Sequence, residues 1–205
     1  MASSSSSDMT AICQRARPEI LAMAGYVSAR SLQIPGSETV FLDANECAFE
    51  PFVGASGLSR YPAQQPAQLV DAFCRWLDVS SRHLTITRGA DEAIDCLMRA
   101  FCIPAVDNVV ICPPTFAMYA QSAMLQGVAV RSAMLDSNFG LDLAAIEKAV
   151  DANTKMIFVC SPNNPTANIM DAEQATPNPI EPNPNTEIVC FDMVFFLVKQ
   201  GVAAS

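Results

Sequence analysis

Histidine, lysine and glycine are scarce in this sequence. It contains one histidine, His83, and 8 glycines among 205 residues, and its lysines are Lys148, Lys155 and Lys199. Basic residues number 12 against 21 acidic ones, which gives a formal net charge of −9 at pH 7. An acidic chain of this kind is poorly suited to binding a nucleic-acid backbone over a broad surface. A local site for a small anion remains compatible with this balance.

The cysteines do not form a metal-binding pattern. There are 8 of them, no two are spaced as Cys-x-x-Cys, and only one histidine is available to join them. A structural zinc site needs clustered ligands, so we expect no metal site. Most cysteines lie in apolar stretches and are interpreted as small core residues. Thiols of this kind predict a reducing, cytoplasmic localisation.

Long apolar runs are missing from the sequence. None approaches the ~20 residues that a membrane-spanning helix requires. The first residues, MASSSSSDMT, also lack the basic start and apolar stretch of a secretory signal. Their low complexity predicts a disordered leader over residues 1–15, although a Ser-rich start is also found in organellar transit peptides.

Strand-length apolar segments alternate with helical patterns along most of the chain. The predicted strands are residues 83–89, 108–114, 128–134, 155–162 and 187–198. The predicted helices are residues 19–29, 67–77, 91–102, 116–126 and 141–150. Near-continuous apolar strands that alternate with helices predict an α/β fold, with a mostly parallel sheet and helices on both faces. The proline-rich residues 172–186 interrupt this alternation, because prolines exclude a helix there.

Chemistry-bearing residues follow several predicted strands, at the edge where ligands bind in doubly wound sheets. Gly89 allows a tight turn, and Ala90 and Asp91 then begin a helix. The free backbone N–H groups at that helix start suit a phosphate. The alternative is an ordinary helix start capped by Asp91. Phe116, after two prolines, is placed to stack on a flat ring or to pack in the core.

Two more polar residues stand at such strand ends. Prolines exclude helix around Asn164, so its amide is held where it can donate to a ligand oxygen or form a simple Asx turn. Asp192 interrupts an apolar run. A buried carboxylate is costly unless it is paired with another group. The alternative is that Asp192 marks the point where the strand leaves the core.

Five segments, taken together and in this order, resemble a known family: LDANE, SRYP, TRGADEAIDCLMRAFC, ICPPTFAMY and VCSPNNPT. They resemble the fold-type-I pyridoxal-phosphate (PLP) aminotransferases of class I/II, most closely the histidinol-phosphate type, over about residues 16–166. The resemblance implies transfer of an amino group from histidinol phosphate to 2-oxoglutarate, which yields imidazole acetol phosphate and glutamate in histidine biosynthesis. PLP is the implied cofactor, and the implied fold is part of a three-layer α/β/α large domain.

The resemblance also implies a role for each candidate residue. The backbone of Ala90 and Asp91 would hold the cofactor phosphate, and Phe116 stands where the family has a tyrosine that stacks on the pyridine ring. Asn164 matches an asparagine that binds the phenolic oxygen. Asp192 would pair with the protonated pyridine nitrogen, at the spacing from Asn164 that the family shows.

The N-terminal part of the resemblance implies a dimer. Tyr61 matches a tyrosine that reaches the phosphate of the neighbouring subunit, and Asn45 lies in a region that resembles the arm closing over substrate. The implied organisation is a leader over residues 1–15, an arm with part of a small domain over 16–66, and an incomplete PLP-binding large domain over 67–205. The insert 172–186 lies in this last part.

The sequence departs from the family at several functional positions. Ala167 replaces the glycine of the family's Asn-Pro-Thr-Gly, which makes a turn with positive φ costly by about 1 kcal/mol. Phe195 stands where the family has a tyrosine. The Schiff-base lysine lies roughly thirty residues past the aspartate in the family, whereas Lys199 is seven past Asp192. We therefore expect a C-terminally truncated chain that is inactive alone and binds PLP weakly and non-covalently.

Other functions fit the same residues. A non-catalytic, truncated remnant is favoured by the proline-rich segment and the missing lysine. Another fold-type-I PLP aminotransferase or decarboxylase is possible because substrate choice resides largely in the C-terminal domain of the family. A doubly wound module that binds a different phosphorylated ligand is a fourth interpretation.

Overall fold

The computed structural model describes residues 13–26, 44–47, 49–50, 52–54, 58–170, 187–191 and 196–199. The chain divides into two compact units. The smaller one is Met23–Ile86, and the larger one consists of Met1–Ala22 and Thr87–Ser205.

The described helices and strands are short. The α-helices are α1 Pro18–Ala22, α2 Ala67–Leu77, α3 Ala90–Phe101, α4 Met118–Leu125 and α5 Leu143–Ala149. The strands are β1 Asn108–Ile111, β2 Ala129–Ser132, β3 Thr154–Cys160, β4 Glu187–Phe191 and β5 Phe196–Lys199. They form one sheet in the order β2-β1-β3-β4-β5, parallel except for the antiparallel pairing of β5 with β4.

Helices cover both faces of this sheet. Val109 on β1 belongs to a buried cluster with Ile94 of α3 and Tyr119 of α4. Val110, the next residue, belongs to a second cluster with Ile146 of α5. Successive strand residues point to opposite faces, so the two clusters are the two sides of one sheet. This arrangement confirms the predicted α/β class with helices on both faces and explains why β1 is buried along its whole length.

A polar cluster joins the amino ends of β1 and β3. Thr154 is fully buried, and its hydroxyl donates to the Asn108 Oδ1 at 2.7 Å. The Asn108 Nδ2 donates to Asp151 at 2.8 Å, and Arg131 pairs with the same carboxylate. The hydrogen bond from Asn108 is the main cause that lowers the pKa of Asp151 below its ordinary value, and Arg131 adds to it. The cluster therefore satisfies buried polar groups at the edge opposite the candidate site.

Arg17 joins the segment before α1 to the end of α3. Its backbone N–H donates to the Ala100 carbonyl at 2.8 Å, and its Nη1 donates to the Arg99 carbonyl at 3.3 Å. The last carbonyls of a helix have no partner within the helix, and a cation near them complements the helix dipole.

The predicted strand over residues 83–89 is wrong. A 3₁₀ turn covers Ser81–His83, and residues 84–87 are not part of the sheet. The Gln65 side chain takes the place of a neighbouring strand: the Ile86 N–H donates to Gln65 Oε1 at 2.7 Å, and Gln65 Nε2 donates to the Ile86 carbonyl at 3.1 Å. Because this amide satisfies the Ile86 backbone, the segment needs no strand pairing there.

The single strand predicted over residues 187–198 is also wrong, because two strands occupy it. β4 and β5 pair antiparallel with Phe191 opposite Phe196, so the chain reverses direction between them. A continuous apolar run does not reveal such a reversal, since both strands are apolar. Of the helix predicted over 19–29, residues 27–29 lie outside the described residues. The described helix ends at Ala22, and residues 23–26, which include the poor helix former Gly25, are not helical.

The other predicted elements are confirmed, with ends that differ by a few residues. The proline-rich segment 172–186 and the leader predicted over 1–15 lie outside the described residues, apart from residues 13–15. Within the described part of the chain, no helix combines the length and the apolar character needed to cross a membrane. All 7 cysteines whose side chains are described carry free thiols.

Candidate functional site

Two loops of the candidate site leave the edge of the sheet where the parallel strands end. β1 and β3 are neighbours, so the loops that follow them begin side by side. α3 precedes β1 and packs on the sheet through Ile94 and Met98. Residues 102–107 join it to β1. The sheet thus brings together the loops that carry Phe116 and Asn164, and a hydrogen bond from Thr115 to Asn163 joins them.

The start of α3 has an open backbone. Gly89, the residue before the helix, has φ 92° and no side chain with which to cap the first turn. A Cβ added at Gly89 would meet no atom within 4 Å, so glycine is needed there for its φ and not for space. Ala90 and Asp91 are exposed, and Asp91 does not act as the predicted cap. Free N–H groups at a helix start, reinforced by the helix dipole, are suited to an anion.

An ion pair lies beside this helix start. The Arg88 Nη2 is 2.8 Å from Glu92 Oε1, and the Arg88 backbone N–H also donates to Glu92. The hydrogen bond from the Arg88 side chain is the main cause that lowers the pKa of Glu92. The Glu92 carboxylate is therefore balanced by a guanidinium, so its charge opposes an anion at the helix start less than a free carboxylate would.

Phe116 belongs to a row of aromatic rings. It is half-buried and meets Tyr119 edge-on, with ring centroids 5.7 Å apart. Tyr119 in turn stacks on Phe158 of β3 at 4.8 Å. Contacts of this kind hold a ring in one orientation. Phe116 thus has a core contact on one side and is not fully enclosed, so it has features of both predicted roles.

The two asparagines after β3 have opposite environments. Asn163 is buried, with 3% exposure, whereas Asn164 is exposed. Within the described residues the Asn164 side chain makes no hydrogen bond, so its amide is available to a ligand. Ala167 closes the turn with φ 62°, the left-handed conformation that the family's glycine would adopt without strain.

Tyr61 and Asn45 belong to the smaller unit, and both are exposed. The Glu46 side chain, only 3% exposed, lies between their segments. Its carboxylate accepts from the Tyr61 backbone N–H at 2.8 Å and pairs with the Arg60 Nη1 at 2.9 Å. Glu46 therefore holds the turn that carries Tyr61.

Asp192 and Phe195 lie outside the described residues, so their predicted roles stay predictions. Lys155 is the second residue of β3, and Lys148 lies in the last turn of α5, just before that strand. Both are therefore near the amino edge of the sheet, away from Phe116 and Asn164. The backbone of Lys199 pairs with Ile188 in the sheet.

Sequence reasoning missed the polar residues that support this edge. The Asn163 amide bonds Thr115 in the loop after β1 and Thr166 in its own loop. The pair of asparagines in SPNNPT was visible in the sequence. Nothing in its pattern showed which amide would be buried, because the two residues are adjacent and chemically identical.

The fold is that of an α/β protein whose parallel strands carry an aromatic ring and an exposed amide in the loops at their carboxyl ends. Residues 40–177 match the family described as aminotransferase class I and II. The chain belongs to this family. Because PLP is the cofactor on which the family depends, membership confirms the cofactor class that the sequence motifs predicted.

Relatives with similar sequences include histidinol-phosphate aminotransferases. The chain is 42% identical over 160 residues to the enzyme of Sodalis glossinidius, which covers 77% of this chain and 44% of the relative. It is 45% identical over 158 residues to the enzyme of Aliivibrio fischeri. That alignment covers 76% of this chain and 45% of the relative. The chain thus spans a little under half the length of these curated relatives.

Solved structures support the same fold. An aromatic aminotransferase from Pyrococcus horikoshii superimposes with a TM-score of 0.57 at 20% identity, over 64% of this chain and 37% of that one. A putative histidinol-phosphate aminotransferase from Erwinia carotovora atroseptica superimposes with a TM-score of 0.53 at 21% identity. The match covers 64% of this chain and 38% of that one. At these identities the likeness concerns the fold alone.

The described residues fit the cofactor in part. The uncapped turn at Gly89 suits its phosphate, the half-buried Phe116 offers a ring face, and the exposed Asn164 offers an amide donor. Ala167, at φ 62°, keeps the turn that the glycine would form, at a cost in strain. No described lysine side chain lies at this edge.

Proposed function

We propose that this chain supplies the PLP-binding part of an aminotransferase of the histidinol-phosphate type. The reaction would pass the amino group of histidinol phosphate to 2-oxoglutarate, in histidine biosynthesis. The observation that carries this proposal is that the loops of Phe116 and Asn164 are joined at one sheet edge. The similarity to histidinol-phosphate aminotransferases, at 42–45% identity, supports the choice of substrate.

Each residue has a defined task in this proposal. The N–H groups of Ala90 and Asp91 bind the cofactor phosphate, because they are uncapped and lie at the positive end of the helix dipole. Phe116 covers one face of the pyridine ring. The Asn164 amide donates to the phenolic oxygen and so orients the ring against Phe116.

Asp192 is proposed to hold the proton of the pyridine nitrogen. When bound, the cofactor supplies an electron sink, which depends on that nitrogen staying protonated. A carboxylate placed against it favours the charged form. Phe195 stands in place of a tyrosine and has no hydroxyl to donate to the phenolic oxygen. Asn164 would therefore bind that oxygen without a second donor from this position.

Tyr61 is proposed to reach the cofactor phosphate of a neighbouring subunit, and Asn45 to contact substrate. Both side chains are exposed in the smaller unit, so both are available for such contacts. This part of the proposal requires a homodimer. The predicted cytoplasmic localisation stays a prediction.

We further propose that PLP binds this chain without a covalent bond. The three lysines are Lys148, Lys155 and Lys199, and the first two lie near the amino edge of the sheet. Without a lysine to shuttle the proton at the substrate α-carbon, turnover should fall by orders of magnitude. We therefore expect no glutamate from histidinol phosphate and 2-oxoglutarate with this chain alone.

Titration of the 205-residue chain with PLP, followed by absorbance, tests the cofactor proposal. We expect saturable binding that N164A weakens about tenfold, through loss of one hydrogen bond to a charged oxygen. The matched control is N153A, which removes an exposed asparagine at the amino edge and should leave the affinity unchanged. Binding equal in N164A and wild type would refute the role of Asn164.

Borohydride reduction with PLP, followed by peptide mass spectrometry, tests the absence of a covalent bond. We expect no specific pyridoxyl-lysine, whereas a single stoichiometric adduct on Lys199 would overturn that expectation. If PLP does not stabilise the chain but another phosphorylated compound does, the proposal fails in favour of a different phosphate-binding module.

A further inference from the structure

Asn163 has no role in the proposed cofactor site, yet its side chain joins two of the site's loops. Its Oδ1 accepts from the Thr115 hydroxyl at 3.1 Å. Its Nδ2 donates to the Pro114 carbonyl at 2.8 Å and to the Thr166 hydroxyl at 2.7 Å. A carbonyl can only accept, so this network requires the Nδ2 to face Pro114. Both amide N–H donors are therefore used.

The backbone of Asn163 also closes its own loop. Its N–H donates to the Asn168 carbonyl at 2.8 Å, and its carbonyl accepts from the Ala167 N–H at 2.7 Å. Thr166 donates in turn to the Asn168 side chain. The loop after β3 is thus bonded to itself by the backbone of Asn163, and to the loop after β1 by its side chain.

We propose that Asn163 is a positioning residue that sets the placement of Phe116 relative to Asn164. Asn164 follows it directly in the chain, and Phe116 directly follows its partner Thr115. The inference rests on the proposed function, since it assigns Asn163 to the geometry of the cofactor contacts. Asn163 does not itself touch the cofactor.

Burial explains why this link is firm. Asn163 is 3% exposed, so water does not replace a partner that moves away. If the two loops separated, the amide and the Pro114 carbonyl would both be left unpaired, and leaving a buried polar group unpaired is strongly disfavoured. The exposed Asn164 amide has no such restraint of its own and depends on the residue before it.

A double-mutant cycle on PLP affinity distinguishes positioning from a merely structural role. If Asn163 acts through Asn164, the variants N163A and N164A each weaken binding about tenfold, and the double variant stays within about twofold of N164A. Independent contributions would instead multiply to about a hundredfold loss, and that result would overturn the proposal.

The matched control is N108A. Asn108 is buried to a similar degree, at 4% exposure, and its amide also joins β1 to the loop before β3, but at the opposite edge. N108A should lower stability without changing PLP affinity beyond about twofold. A loss in N108A equal to that in N163A would show a general effect of destabilisation and would refute the inference.

Nuclear magnetic resonance of the cofactor-free chain tests the link without PLP. We expect the ring resonances of Phe116 to shift in N163A and in the milder variant T115V, but not in N108A. The Ala167 N–H should exchange with solvent at least about tenfold faster in N163A.

The two tests separate the two proposals. If the wild-type chain binds no PLP, the cofactor proposal fails, while the Phe116 and Ala167 signals still decide whether Asn163 joins the loops. If those signals do not change in N163A, the positioning proposal fails even where PLP binds.

Discussion

The strain at Ala167 leads to a quantitative prediction. The residue has φ 62°, and an L-residue with a Cβ in this left-handed region costs about 1–2 kcal/mol. Replacing it by glycine removes that cost but adds about 0.4–1 kcal/mol of chain entropy to the unfolded state. The Ala167 N–H bond to Asn163 is a backbone bond and is retained. Ala167→Gly should therefore raise the free energy of unfolding by about 0.5–1 kcal/mol.

Urea unfolding followed by far-ultraviolet circular dichroism measures this change. A positive control is Ala105→Gly, because Ala105 also has a positive φ, 61°. The negative control is Ala117→Gly at φ −65°, where alanine is unstrained and glycine should cost about 0.4–1 kcal/mol. If Ala167→Gly destabilises the chain as much as Ala117→Gly does, the strain at this turn is not real.

Two further predictions concern the carboxylates. The folded-state pKa of Asp151 lies below the ordinary 3.8, so its contribution to stability is full above that pH and is lost as pH falls through the folded pKa. D151N should therefore lower the free energy of unfolding at pH 7. In acid-unfolding curves it should also weaken the dependence of stability on pH below about pH 4. An unchanged pH dependence would contradict the lowered pKa. E46A should destabilise the smaller unit by about 2 kcal/mol, because it removes the buried carboxylate that binds the Arg60 side chain and the Tyr61 N–H. Fluorescence of Trp76, the single tryptophan, reports that loss, and D71A on the exposed side of α2 should show none.

Helical periodicity predicted the helices well where a helix has one buried side. In α3, Ile94 and Met98 lie four residues apart, and both are fully buried. Their spacing puts them on one face of a helix whatever that helix packs against. The apolar character of β1 and β3 was equally visible, since a strand covered on both faces has no polar alternation.

The errors arose where backbone pairing is decided by distant residues. The backbone of Ile86 is hydrogen-bonded by the side chain of Gln65, 21 positions earlier, where a strand would have a neighbouring strand. No local pattern in residues 83–89 carries that information. The apolar run that contains β4 and β5 similarly left open whether one strand or two would form, since the reversal is visible only in the pairing of Phe191 with Phe196.

The sequence by itself determined the family and the α/β class. It could do so because motif order and hydrophobic period are local properties of the chain. The tertiary structure alone decided that Asn163 is buried while Asn164 is exposed, and that Ala167 takes the left-handed turn. These properties depend on what packs around two adjacent loops, and hydrogen bonds such as that between Asn163 and Thr115, 48 residues apart, exist only in the folded chain.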